Sequence, residues 1–88
     1  MPEISPHILD AIRREMTRAE EIHPNYPMDP LRQTALMCEE AGEALKAALD
    51  LTRPIGSATA YRRRLRRETV QTAVMAIKLL EALRFDDE

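Results

Sequence analysis

Aromatic residues are nearly missing from this chain, which has two tyrosines, one phenylalanine and no tryptophan. Glycine is almost as rare, at two residues. A β-sandwich or barrel draws on many aromatic and β-branched strand residues and on glycine-rich turns, so this composition argues against both. The single cysteine, Cys38, excludes an intramolecular disulfide and fits a reducing compartment. No segment approaches the roughly 18 consecutive apolar residues of a membrane span. The opening "MPEISPHILD" lacks the apolar core of a signal peptide. A cytoplasmic location with no membrane partner is therefore expected. A formal net charge of -2 also withholds any overall attraction to nucleic acid.

What is present is helix-forming sequence with firm punctuation. Apolar residues make up 44% and charged residues 32%, the balance of a globular protein, and 88 residues suffice for one domain spanning 1–88. A chain this short buries a small share of its surface, so a homo-oligomer is expected to complete the core. "SP" marks the first helix start, with Ser5 as cap and Pro6 in the first turn, and Leu9, Ile12, Met16 and Ala19 recur at helical spacing up to Ile22. "HPNYPMDP" carries three prolines and must be a loop, closing on Asp29 and Pro30 as the next start. A second helix is predicted from Pro30 to about Leu51, a break at "TRPIGS", and a third helix from about Ala58 to Arg84. Short connections favour antiparallel neighbours, so the fold class is all-α, an antiparallel helical bundle. The acidic tail, about 85–88, is expected to fray.

The carboxylates are the puzzle. With about 100° per residue, Leu36, Met37, Ala44, Leu45, Ala47, Ala48, Leu49 and Leu51 sweep an apolar arc over more than half of the second helix. Glu40 falls inside that arc, Glu43 at its edge and Glu39 on the wet side. On the third helix Tyr61, Leu65, Thr72, Met75, Ala76, Leu79 and Leu83 form a stripe that contains Glu68, with Gln71 at its flank. If the two helices pack face to face, Glu40, Glu43, Glu68 and Gln71 converge. Like charges in an apolar interior call for a compensating cation, and carboxylate and amide oxygens suit Mg²⁺, or Mn²⁺. Zinc does not fit, because Cys38 lies across the helix from Glu43 and His7 and His23 lack ligand spacing. Mg²⁺ keeps positions open for phosphates, which points to a nucleotide or polyphosphate ligand. The bland alternative is a solvated helix face, with Glu43 and Lys46 as a surface pair.

"EEAGE" at 39–43, followed after 24 residues by "ETVQ" at 68–71, resembles the E-E-x-x-E and E-x-x-D motifs of MazG-like nucleotide pyrophosphohydrolases, the all-α NTP pyrophosphatase group. The resemblance runs from the first helix to "MAIKLLEAL". It implies a bundle of the all-α NTP pyrophosphatase type, forming dimers or tetramers, that hydrolyses a nucleoside triphosphate between its α and β phosphates with Mg²⁺. It also implies metal ligation at Glu40, Glu43, Glu68 and Gln71, with Glu39 orienting or activating water. Gln71 departs from the motif's final acid: its amide oxygen can still coordinate, but one negative charge is lost. Two outcomes follow, a working three-carboxylate enzyme or a weakened or inactive helical oligomer that binds nucleotide or a protein partner.

Six of the 13 basic residues lie between Arg53 and Arg67. Arg62, Arg63, Arg66 and Arg67 point in several directions around a helix and read as solvated surface, while Arg64, beside Gln71 on the wheel, is the expected phosphate contact. Lys46 and Lys78 are further phosphate candidates or solvated side chains. Tyr26 could stack on a base or pin its loop. No nucleic-acid module is recognisable.

Overall fold

The computed structural model describes residues 3–27, 29–53 and 55–83. Three helices follow in order: α1 (Pro6–Ile22), α2 (Pro30–Thr52) and α3 (Ala58–Leu83). These agree with the predicted elements to within a residue, although Arg84 and the acidic tail lie outside the described residues, as does Met28 in the proline loop.

Local chemistry sets the boundaries. Pro6 opens α1, but the Ser5 side chain makes no capping bond; its carbonyl accepts the Ile8 and Leu9 amides, each at 3.0 Å. Asp29 does cap α2, its Oδ1 accepting from the Leu31 amide at 3.1 Å. Ser57 Oγ accepts from the Ala60 amide at 3.3 Å at the start of α3. Gly56 between them has φ 99°, a left-handed conformation that a side chain would resist, and it closes the turn from α2 into α3. Gln33, buried in the first turn of α2, donates from Nε2 to the Pro27 carbonyl at 2.7 Å and so ties the proline loop to the helix.

α3 is the spine. α2 packs along it and α1 packs on it more lightly, while α1 and α2 do not pack on each other among the described residues. This explains one departure from the wheel. Val74, outside the predicted stripe, is 2% exposed, because α3 is covered from two sides and its residues 70–79 are all at least partly buried. Ala47 of α2 is completely buried opposite this segment's helix. Two residues of the predicted α2 arc depart from it: Leu36, Met37, Ala44, Ala47, Ala48 and Leu51 are at least partly buried, while Leu45 and Leu49 are 62% and 60% exposed.

Candidate functional site

The α2–α3 packing brings Glu40 and Glu68 together. Both are partly buried, and the Glu40 carboxyl hydrogen-bonds the Glu68 carboxylate. That contact, together with burial and the charges of Glu68, Glu43 and Glu15, pushes the Glu40 carboxyl up to about 7. Below that value Glu40 keeps its proton, which offsets the like charge of the pair.

Gln71, one turn beyond Glu68, completes the cluster. Its neighbours select the amide orientation: the nitrogen donates to Glu68 Oε2 and to Glu40 Oε2, each at 3.2 Å, and the oxygen accepts from Arg18 Nη2 at 3.3 Å. Arg18 comes from α1, where Glu15 grips it through two bonds, Nε to Oε1 at 2.8 Å and Nη2 to Oε2 at 2.6 Å. The bidentate Glu15 contact, reinforced by the Glu15 and Glu40 charges, raises the Arg18 pKa further, so it is a permanent cation beside the carboxylates. Sequence reasoning missed Glu15 and Arg18. Their signal, an i,i+3 acid–base pair on α1, is common on helix surfaces and says nothing about which helix it meets.

A cleft of about 120 Å³ lies over this cluster, lined by Glu15, Arg18, Tyr26, Glu40, Gln71 and Lys78 among others. Lys78 Nζ sits 4.4 Å from the centroid of the Tyr26 ring, a cation–π contact. The Tyr26 hydroxyl is buried with no partner among the described residues, and burial pushes its pKa up. Gln33 Oε1 is likewise buried and unpartnered, and both residues line the hollow next to the cleft. On the loop side an apolar hollow of about 420 Å³, walled by Ile22, Pro24, Tyr26, Leu36 and Met75, shares Tyr26 and Met75 with the cleft.

The other predicted residues lie apart from it. Glu39 and Glu43 are exposed, and among the described residues no three acidic, histidine or cysteine side chains are grouped as a metal ion requires. The expected four-way convergence is therefore reduced to Glu40, Glu68 and Gln71, because Glu43 at the edge of the arc turns to solvent. Gln71 presents its nitrogen to the carboxylates in this arrangement, so coordination through its oxygen needs the amide to rotate by half a turn. Lys46 is exposed and does not line the cleft. Arg64 donates from Nη1 to Asp50 Oδ2 at 2.9 Å and links α3 to α2 instead of lining the cleft. It is seven residues from Gln71, roughly 10 Å along the axis, which a helical wheel does not register.

Arg63, Arg66 and Arg67 do share a surface. With Arg14 and Arg18 of α1 they line a groove of about 320 Å³ between α1 and α3. Comparison of the chain with protein-family models, with curated proteins and with solved structures gives no match.

Proposed function

We propose that the chain is a Mg²⁺-dependent nucleoside triphosphate pyrophosphohydrolase of the MazG-like type, working as a homo-oligomer. The observation that carries this reading is the Glu40–Glu68 contact across α2 and α3, joined by Gln71. Two carboxylates brought together across α2 and α3, each within 3.2 Å of the Gln71 amide nitrogen, suit a hard cation, and Mg²⁺ is commonly held by one or two carboxylates with substrate phosphates completing its shell. When bound there, the ion supplies phosphate charge neutralisation and an acidified water. Glu40 and Glu68 would hold it. Arg18, fixed by Glu15, adds positive charge beside them, and the apolar hollow at Tyr26 and Met75 is of a size and character to take a nucleobase.

The oligomer is supported by the surface. Ile8, Leu31, Leu45, Leu49 and Ile55 are exposed. The accessible area is 7097 Å², against about 5,300 Å² for a compact monomer of 10.1 kDa. That excess is about twice the roughly 800 Å² that each partner buries in a standard interface.

One observation favours a second reading, a weakened or inactive nucleotide-binding oligomer: Gln71 already satisfies both carboxylates with its nitrogen and Arg18 with its oxygen. Pyrophosphate release over a panel of canonical and modified NTPs, with Mg²⁺ and with EDTA, separates the two. Metal-dependent release from at least one nucleotide is expected. No turnover together with no thermal stabilisation by Mg²⁺ overturns the enzyme reading.

A further inference from the structure

The groove between α1 and α3 gathers five guanidiniums, Arg14, Arg18, Arg63, Arg66 and Arg67, around one lining carboxylate, Glu15. Two of them are engaged, Arg18 by Glu15 at 2.6 Å and Arg14 by Asp10 at 2.8 Å. Arg63, Arg66 and Arg67 have no carboxylate within ion-pair distance among the described residues. They are also neighbours at i,i+3 and i,i+4 on α3, where like charges destabilise a helix. The fork of a guanidinium matches phosphate oxygens two at a time, so several forks around one small hollow suit a compact anion with more than one phosphate.

The groove is not isolated. It shares the Glu15–Arg18 pair with the carboxylate cleft, and that cleft shares Tyr26 and Met75 with the apolar hollow. Along α3 the order is Arg63, Arg67, Gln71, Met75, about one turn apart each time, so basic, carboxylate and apolar compartments succeed one another along a stripe that winds about a third of the way around the helix. We propose that the arginine groove binds the terminal phosphates of the substrate, and the pyrophosphate product, so that a triphosphate lies along α3 with its base at the Tyr26 end. The orientation rests on the function proposed above; the anion site itself does not.

The test is calorimetric titration of the full-length protein with pyrophosphate and tripolyphosphate in EDTA, where no divalent ion can hold phosphate at Glu40 and Glu68. Saturable binding is expected, weakened at least tenfold in the Arg63→Gln/Arg67→Gln variant and changed less than twofold in Arg62→Gln, which does not line the groove. Both variants alter exposed side chains, and unchanged melting curves check their folding. Absence of binding by the wild type, or equal loss in both variants, overturns the proposal even if NTP hydrolysis is found. Tighter binding of a 20-nucleotide single strand that tripolyphosphate cannot displace also overturns it, since the groove is then a nucleic-acid surface. Binding with no hydrolysis leaves the anion site standing and defeats the enzyme reading alone.

Discussion

The Glu40 carboxyl on α2 hydrogen-bonds the Glu68 carboxylate on α3, and the contact holds a proton on Glu40 up to a pH of about 7. In the unfolded chain Glu40 loses that proton near the ordinary carboxylate value of about 4.5. Between these values the native state binds more protons than the unfolded state, so stability is full below the lower value and declines as pH rises through the upper one. Melting temperature without metal should therefore fall from pH 5 to pH 8, by an amount equivalent to about 1–2 kcal/mol once solvent screening is allowed for. Glu40→Gln should flatten the profile. A profile that rises over this range in the wild type and is unaltered in the variant contradicts the shared proton.

On the proposed function, Mg²⁺ would compete with that proton. Its stabilisation of the protein should be small at pH 5.5 and grow through pH 8, because the carboxyl must be deprotonated to coordinate. Thermal shift at several Mg²⁺ concentrations checks this, with Glu68→Gln expected to abolish the effect.

Gln71→Asp removes the amide nitrogen that donates to both carboxylates at 3.2 Å and adds a further negative charge. Without metal the variant should be less stable near neutrality by about 1–3 kcal/mol, the cost of losing a donor to a charged group. With metal it should bind Mg²⁺ more tightly than wild type. Calorimetry that finds unchanged Mg²⁺ affinity places position 71 outside the coordination shell.

Arg64 and Arg18 should separate cleanly. Arg64→Gln breaks a partly exposed pair with Asp50 and should cost no more than about 1 kcal/mol of stability, leaving kcat/KM for any NTP substrate unchanged. Arg18→Gln should lower kcat/KM at least tenfold with a melting temperature near that of wild type, since α1 buries no residue. Equal kinetic effects would return Arg64 to the site.

Leu45→Glu/Leu49→Glu places two charges on the exposed strip of α2. Light scattering should give an oligomer for the wild type and a monomer, or a loss of folding, for the variant. A monomeric wild type refutes the completed bundle.

The helices were legible in the sequence because their ends are set locally, by Pro6, by Asp29 and Pro30, and by Gly56 and Ser57. The inward placement of Glu40 and Glu68 was legible because it depends only on the helical period. Three matters depend on which helix meets which, and periodicity does not carry that. Arg18 reaches Gln71 across 53 positions of chain, a contact that no spacing rule anticipates. Arg63, Arg66 and Arg67 look scattered on a wheel and become one groove only when Arg14 and Arg18 are set opposite. Val74 is buried because α3 has two neighbours, whereas a one-sided wheel leaves it out.

The central position of α3 has a consequence for how the molecule opens. Among the described residues α1 packs only on α3 and has no buried residue, so releasing it exposes little apolar surface and leaves the α2–α3 hairpin paired. Its amides should exchange with solvent through a local opening well below the free energy that guards Ala47 and Val74. Arg14, Glu15 and Arg18 travel with that helix. The positive wall of the cleft is thus hung on the least stable unit of the fold, and ligand held between α1 and α3 would be read out as slower exchange along the whole of α1.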